Sequence, residues 1–372
     1  MNVNPKIRTA IYAVAAVIAV AVIAVVWYFL LPRNVVLSTF VSNGPQMDGS
    51  GNDSVWTKTE AKTVPMSNDQ NIEIKSVYST DRVFLLLRFK SPQPNKTERA
   101  WTFNGKSWKR GGASDQLALF FVMNDTIPDF KKKGFDIMTY GLEKDDSLWG
   151  VGIAEPSKPK GEWAGAADQA DYWLWGAGVT NPWGGFDDLY FSINREYAMS
   201  PTTTSPLVAT RWDAFTNVGV VQANTALWRE AAQISEGAAP QSQVQDGPIY
   251  MYSDGETFAD NPYPVVSDLQ SIPSGQSFKK GEQLPFIFFE DETKGKWGAS
   301  RDDISARGVW KDGYWTIEVS RKLKTAYGDD IVFAPAVKED VDYSFGLLTR
   351  TGDKGINRSV PAILRFRSKG GN

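Results

Sequence analysis

Short β-type runs separated by turn residues are the feature that most constrains the fold of this 372-residue chain. Residues 72–78 (IEIKSVY) alternate apolar and polar side chains, and residues 83–89 (VFLLLRF) follow after a turn at 79–82. This pattern predicts a hairpin with one buried strand. A continuous apolar run at 117–122 (LALFFV) is typical of a strand that is covered on both faces.

More runs of this kind follow, at 172–175, 189–193, 285–290, 314–319 and 343–348. Because the runs are short and helical periodicity is scarce, the sequence predicts an all-β domain over 34–372. We expect an antiparallel β-sandwich with helical and loop insertions rather than a βαβ fold. Residues 209–238 are predicted to hold one or two short helices. Residues 236–283 are rich in Gly, Ser, Pro and Gln, so the whole insertion covers about 209–283.

The N-terminal region predicts a membrane anchor. Residues 11–31 (IYAVAAVIAVAVIAVVWYFLL) contain no charge and, at ~1.5 Å per residue, span about 30 Å as a helix, the thickness of a bilayer core. Lys6 and Arg8 precede the run, which keeps residues 1–10 in the cytoplasm and places the following domain outside it, in a periplasm or an equivalent lumen. A cleaved signal sequence is the alternative, but the run is long and has no small-residue cleavage site at its end.

Composition excludes several classes of function. The chain contains no cysteine and no histidine, which rules out disulfides, thiolate metal sites, c-type haem and imidazole catalysis. The formal net charge is −3 and the basic residues are scattered, so nucleic acid is not an expected partner. No pattern in the sequence predicts a catalytic or a metal site.

Several charged groups could have either a functional role or a purely structural one. Asp187-Asp188 could bind a cation or a basic partner, but we expect turn carboxylates that accept backbone hydrogen bonds. Asp329-Asp330 and Glu339-Asp340 are predicted to be solvated turn charges. The run at 48–53 (DGSGND) is a weak match to a calcium loop, since it lacks the EF-hand spacing and the closing glutamate. Lys131–Lys133 are predicted to lie in a solvated loop.

Six segments, which we call the family segments, carry a resemblance to a known family. They are 47–66 (MDGSGNDSVWTKTEAKTVPM), 72–90, 115–121 (DQLALFF), 172–188 (YWLWGAGVTNPWGGFDD), 307–323 (RGVWKDGYWTIEVSRKL) and 352–366 (GDKGINRSVPAILRF). In this order they resemble the haem-binding γ-subunit family of ethylbenzene dehydrogenase and its relatives. These subunits accompany molybdenum enzymes of the dimethyl sulfoxide reductase type, including some nitrate reductases and nitrite oxidoreductases.

The resemblance implies a β-sandwich that holds haem b through a methionine and a lysine and carries single electrons. It places the methionine at Met138 and the lysine at position 358, where this chain has Arg358. A guanidinium stays protonated and offers no lone pair to iron. Lys354 lies four residues earlier and could replace the missing lysine only if the loop shifts. A second thioether, Met123, follows an apolar strand, and we expect it to pack there.

Trp173, Trp175 and Trp183 form a dense aromatic group that could wall a haem pocket. An aromatic core or a partner-facing patch is an equally good interpretation.

Three hypotheses about function follow. The preferred one is a haem-free, non-catalytic accessory subunit that docks on, organises or polymerises a molybdenum oxidoreductase complex, with the homo-oligomer that polymerisation entails. The second is a haem b electron-transfer subunit with Met138 and Lys354 as axial ligands. The third is an extracytoplasmic carbohydrate- or ligand-binding module, because Trp-rich β-domains can bind sugars.

Overall fold

The computed structural model describes part of the chain. The described residues are 34–67, 70–98, 100–111, 114–123, 127, 130–135, 152–154, 170–193, 207–212, 221–223, 247–289, 301, 303–328, 330–336, 339–351 and 355–369. The predicted anchor at 11–31 and the candidate ligands Met138 and Lys354 lie outside them. Within the described ranges, no helix is both long enough and apolar enough to cross a membrane.

The described residues are mostly β, as predicted. The strands are β1 (Val35–Phe40), β2 (Lys62–Pro65), β3 (Asn71–Tyr78), β4 (Arg82–Lys90), β5 (Trp101–Phe103), β6 (Trp108–Arg110), β7 (Gln116–Val122), β8 (Gly152–Ala154), β9 (Ala170–Gly176), β10 (Asp187–Ile193), β11 (Leu207–Trp212), β12 (Val221–Ala223), β13 (Tyr250–Tyr252), β14 (Leu269–Ser271), β15 (Gln283–Leu284), β16 (Ile287–Phe289), β17 (Ser305–Lys311), β18 (Tyr314–Lys322), β19 (Val341–Arg350), β20 (Asn357–Arg358) and β21 (Ala362–Phe366). Helices in the described ranges are short: α1 (Ser54–Lys58), α2 (Phe130–Lys133) and single 3-10 turns at Asn181–Trp183 and Val266–Asp268.

One 14-stranded sheet dominates the fold. Its main path runs β17-β18-β4-β3-β1-β21-β19-β7-β9-β10-β11-β8, with β2 beside β3 and β20 beside β19. The predicted hairpin is confirmed, because β3 and β4 pair antiparallel. The sequence predicted an antiparallel sheet, but the sheet is mixed, since β1 pairs in parallel with both β3 and β21.

The large sheet is curled, so that strands far apart in its order meet. The edge strand β17 reaches the segment that precedes β10: Phe186 N–H donates to Ile304 O (3.1 Å) and Ala306 N–H to Gly184 O (2.8 Å). At the other end of β17 the two-residue turn Asp312-Gly313 has positive φ at both positions (51° and 84°), as a tight hairpin into β18 requires. The curl encloses a space between the two halves of the sheet.

The main hydrophobic core fills that space. It contains buried side chains from β3, β4 and β18 on one half and from β7, β9 and β19 on the other. Trp175 of β9 contacts Trp315 of β18 at 5.0 Å between ring centroids, and Phe89 of β4 at 6.5 Å. Aromatic pairs at such edge-to-face angles stabilise a core beyond the area they bury.

A second core lies on the other face of β7 and β9. Phe120 of β7 packs there against Phe130, Phe135 and Tyr172. Every residue of β7 is therefore buried, which confirms the prediction from its continuous apolar sequence.

The insertion differs from the sequence-based expectation. Residues 209–212 belong to strand β11, which pairs with β10 and β8, and residues 221–223 form β12 rather than a helix. Residues 247–289 are not a bare loop, because β13 pairs with β14, and β15 extends a small sheet with β5 and β6. Trp101, Tyr252 and Phe258 give this region a small core of its own.

Candidate functional site

Asp115, the first residue of the family segment 115–121, joins three parts of the chain. Its buried carboxylate Oδ2 accepts hydrogen bonds from Trp315 Nε1 (2.7 Å), Ser91 Oγ (2.8 Å) and the backbone N–H of Asn95 (3.1 Å). Trp315 belongs to the family segment 307–323, so the two segments are tied by a charge-assisted bond. This arrangement fixes the two halves of the sheet around the core.

Asn181 holds the segment 172–188 against the edge strand β17. Its side-chain oxygen accepts hydrogen bonds from Trp175 Nε1 (3.2 Å) and from the backbone N–H of Gly308 (2.8 Å), and its amide donates to Gly308 O (3.1 Å). A Cβ atom on Gly308 would lie 2.6 Å from Trp175 Cζ2. Only glycine therefore leaves room for the indole at this position.

A third connection involves the first family segment. The buried carboxylate of Glu318 on β18 accepts hydrogen bonds from Gly49 N–H (2.6 Å) and from Trp56 Nε1 (2.8 Å). Burial raises the pKa of Glu318, while the bond from the Gly49 N–H acts in the opposite direction. The segment 47–66 is thus anchored to the sheet through one carboxylate.

Asp48 and Asp53 of the same segment serve as turn acceptors. Asp48 Oδ1 accepts from the Ser50 N–H at 2.7 Å, and Asp53 Oδ2 accepts from the Gln46 N–H at 2.5 Å. The hydrogen bonds from Ser50 lower the pKa of Asp48. These bonds account for the two carboxylates without a calcium ion.

The prediction that Asp187 and Asp188 are turn residues is wrong. Both are fully buried on strand β10, because their segment continues from the 3-10 turn directly into the sheet. Asp187 forms a two-point ion pair with Arg301, with Nε–Oδ1 at 2.6 Å and Nη2–Oδ2 at 3.0 Å. Such a buried fork-to-fork pair is among the stronger side-chain interactions.

Asp188 belongs to a larger buried group, which we call the Arg321 cluster. Arg321 of β18 is fully buried and is surrounded by four carboxylates from different segments. Its guanidinium lies 3.3 Å from Asp171, 3.7 Å from Asp188, 3.6 Å from Asp303 and 2.9 Å from Asp330. The prediction that Asp330 is a solvated turn charge is therefore wrong, because its side chain is enclosed with the arginine.

Backbone and aromatic contacts hold the Arg321 cluster in place. Arg321 Nη1 donates to Ile331 O (2.9 Å), and the Ile331 N–H donates to Asp171 Oδ2 (2.8 Å). The guanidinium carbon lies 5.1 Å from the centre of the Trp173 ring, a cation–π distance. The cluster thereby connects β18, β9 and the loop that carries Ile331.

The charges of the cluster shift one another's pKa values. Burial raises the pKa of Asp171 to about 6, although the neighbouring Arg321 acts in the opposite direction. Burial also raises the pKa of Asp303. Burial alone would lower the pKa of Arg321, but Asp171 and the other carboxylates around it raise it. The arginine therefore stays charged.

The predicted aromatic group does not form an open pocket. Trp173 and Trp175 are fully buried on the core face of β9, where Trp173 packs against Phe121 and Trp175 against Trp315. Trp183 lies on the 3-10 turn and is half-buried. Trp173 and Trp175 therefore fit the core-filling interpretation.

The candidate haem ligands are only partly placed. Met138 and Lys354 lie outside the described residues, so their assignment stays a prediction. Arg358 is half-buried on β20, opposite Leu348 of β19. Its backbone is fixed from the other side as well, because the N–H of Ser67 donates to Arg358 O at 2.8 Å. Met123 is half-buried and packs against the main core, as predicted.

Met123 also borders a cavity of about 330 Å³. Its other lining residues include Tyr327, Gly328, Asp330 and Tyr343. The cavity therefore reaches the Arg321 cluster from the side of Asp330. Lys131 and Lys132 are exposed, as predicted, but they lie on the short helix α2 rather than in a loop.

A protein-family model described as ethylbenzene dehydrogenase matches residues 50–348, which is most of the chain. This chain belongs to the ethylbenzene dehydrogenase family. The match confirms the resemblance predicted from the family segments. In the structure, the polar side chains of those segments form the interior connections of Asp115, Asn181, Glu318 and Arg321. What the family segments share here is therefore an architecture of buried polar contacts.

Solved structures that resemble this family member are distant from it in sequence. A carbohydrate binding module of family 9 from Caldicellulosiruptor kristjanssonii, in complex with cellotriose, is 7% identical, with 91% of this chain and 96% of that chain covered, at a TM-score of 0.32. A putative carbohydrate-binding protein from Bacteroides uniformis is 8% identical, with 90% and 99% covered, at 0.31. A likeness of this size carries no conclusion about ligands. No curated protein matches the chain.

Sequence reasoning missed the partners of these carboxylates. Arg321 and Glu318 lie within a family segment, whereas Asp171 and Asp303 lie in none of the six segments. One signal was present: Glu318 lies between Ile317 and Val319 on a predicted strand and Arg321 follows it, and a charge at a buried strand position needs a partner.

Proposed function

We propose that this chain is a non-catalytic accessory subunit of a molybdenum oxidoreductase complex of the nitrite oxidoreductase and nitrate reductase type, and that it works without haem. Membership of the ethylbenzene dehydrogenase family supports the role of a γ-like subunit. The observation that carries the haem-free state is Arg358, which stands where the resemblance puts the ligand lysine. Its strand is paired with β19 on one side and bonded to Ser67 on the other.

The chemistry of the chain supports this proposal. An axial ligand must donate a lone pair to iron, and a guanidinium keeps its proton under all ordinary conditions. The chain has no histidine or cysteine to replace the lysine. Two of the three candidate tryptophans, Trp173 and Trp175, are buried in the core, which supports the haem-free state.

The haem-free state is tested on the purified full-length chain, expressed with an ample supply of haem. We expect no α-band in the reduced-minus-oxidised spectrum of the wild type. The Arg358→Lys variant restores an amine at the ligand position and is expected to gain haem b. Arg365→Lys is the matched control, because Arg365 is an exposed arginine on β21 paired with Asp342.

A stoichiometric haem b band in the wild type would overturn the proposal and favour the electron-transfer alternative. In that case Met138→Ala and Lys354→Ala should each abolish the band. If Arg358→Lys gains no more haem than Arg365→Lys, position 358 is not the ligand position.

An accessory role requires that the chain docks on the oxidoreductase complex. Freed from ligation, the chain keeps a rigid, curled β-sheet domain that we propose is held at the membrane surface outside the cytoplasm by residues 11–31. Gentle solubilisation of native membranes should release the chain in an assembly larger than its own mass, together with oxidoreductase activity. A chain that elutes alone from membranes in which the enzyme complex stays intact would contradict docking.

A further inference from the structure

Within the described part of the chain, the Arg321 cluster consists of one guanidinium and four carboxylates. Four aspartates, from β9, β10, the residue pair before β17 and the loop after β18, surround a single guanidinium. Arg301 does not contribute to this balance, because it already forms a two-point pair with Asp187. Ionised carboxylates that are buried without compensation destabilise a fold strongly.

The geometry of three of these carboxylates suits a metal ion. Asp171, Asp188 and Asp330 are all buried, and each offers an oxygen that lies within 4.8 Å of the oxygens of the other two. Ca²⁺ binds oxygen at about 2.3–2.6 Å, so two ligands on opposite sides of one ion are about 4.6–5.2 Å apart. Three oxygens at these separations can therefore share one ion without any movement of the backbone.

A second observation concerns Asp171, one of these three carboxylates. Asp171 is completely buried, yet none of the described residues donates a hydrogen bond to its Oδ1 atom. Its other oxygen is used, since Oδ2 accepts the Ile331 N–H and faces Arg321. A buried carboxylate oxygen without a donor is rare in folded proteins and calls for a cation or a water molecule.

We propose that the Arg321 cluster is a binding site for one divalent cation that prefers oxygen ligands, of which Ca²⁺ is the best fit, held by Asp171, Asp188 and Asp330. All donors are carboxylates, the ligand type of Ca²⁺, Mg²⁺ and Mn²⁺ rather than of zinc or copper. The irregular arrangement around an arginine favours Ca²⁺, because Mg²⁺ demands near-octahedral geometry. Asp303, whose side chain is 16% exposed, adds charge at the rim of the site.

The site borders a cavity and lies between several parts of the fold. The cavity of about 330 Å³ is lined by Tyr327, Gly328 and Asp330 and so adjoins the cluster at Asp330. An ion there would connect β9, β10 and the loop after β18. The inference does not depend on the proposed function, since it concerns neither haem nor a partner subunit.

The test uses the full-length chain in detergent, stripped with EDTA and dialysed. Titration with CaCl₂ is expected to raise the melting temperature by several degrees, to saturate, and to load one Ca²⁺ per chain as measured by native mass spectrometry. Asp171→Asn is expected to weaken Ca²⁺ binding at least tenfold. Glu73→Gln is the matched control, since Glu73 is an exposed carboxylate paired with Arg88, and it should bind Ca²⁺ like the wild type.

Two results would overturn the proposal. One is a wild-type chain whose melting temperature and mass do not change with Ca²⁺, Mg²⁺ or Mn²⁺. In that case protons on the aspartates, and not a metal ion, would reduce the negative charge of the cluster. The other is an Asp171→Asn variant that binds Ca²⁺ as tightly as the wild type. If that variant does not fold, the metal content of the wild type decides, because one equivalent should be lost to EDTA and regained from CaCl₂.

Discussion

Replacing Trp315 by phenylalanine tests whether the family segments act as structural connections. The substitution removes the hydrogen bond from Nε1 to the buried carboxylate of Asp115, which is 2.7 Å long. A hydrogen bond to a charged group contributes about 1.5–3 kcal/mol. The lost ring also leaves a gap beside Trp175, which adds about 1 kcal/mol or more. We therefore expect Trp315→Phe to lower the free energy of unfolding by about 2.5–4 kcal/mol.

The assay is equilibrium unfolding of the full-length chain in urea, followed by far-UV circular dichroism. A double-mutant cycle with Asp115→Asn isolates the hydrogen bond, and we expect a coupling energy of about 1.5–3 kcal/mol. Trp310→Phe is the control on the neighbouring strand, because Trp310 Nε1 donates to the neutral carbonyl of Ser91 at 2.8 Å and is only half-buried. It should cost about 1 kcal/mol. A coupling energy below about 0.5 kcal/mol would show that the hydrogen bond between Trp315 and Asp115 does not stabilise the fold as expected.

Three further changes probe other connections. Trp175→Phe loses the hydrogen bond from Trp175 Nε1 to Asn181 and should destabilise the chain by about 1–2 kcal/mol in the same urea assay. An unchanged free energy of unfolding would show that this bond contributes nothing. Arg301→Met leaves Asp187 buried without its partner and should cost about 3–5 kcal/mol, whereas Arg365→Met, in an exposed pair, should cost at most about 1 kcal/mol; equal effects would contradict the assignment. Because burial raises the pKa of Glu318, the folded chain binds its proton more tightly than the unfolded chain does, and stability should fall as the pH rises from about 4.5 through the raised pKa. Melting curves of Glu318→Gln should lack that part of the pH dependence.

The strands of the sheet could be predicted where their periodicity was unambiguous. The alternating and apolar runs at 72–89 and 117–122 are confirmed as β3, β4 and β7. The parallel pairs of β1 could not be predicted, because pairing between distant strands leaves no local pattern. The helices expected in 209–238 were predicted from spaced aromatic residues, and at 209–212 the pairing of β11 with β10 prevails over that weak pattern.

The environment of the buried charges was harder to predict from the sequence than the strands were. A pair of aspartates shortly after a glycine is typical of a solvated turn, and this pattern predicted the wrong environment for Asp188 and Asp330. Their true environment depends on Arg321 and Asp171, which are more than a hundred residues apart along the chain and meet only because the sheet curls. The placement of Trp173 and Trp175 in the core was one of two interpretations that the sequence left open, and burial decides it.

The central claim is that this chain is an accessory subunit of a molybdenum oxidoreductase. The most direct test is the molybdenum content of the full-length chain isolated from native membranes through an affinity tag. We predict molybdenum at a fixed ratio to the chain that persists through gel filtration and is absent from an untagged control. A preparation in which the intact chain carries no molybdenum, although the membranes contain active enzyme, would contradict the account.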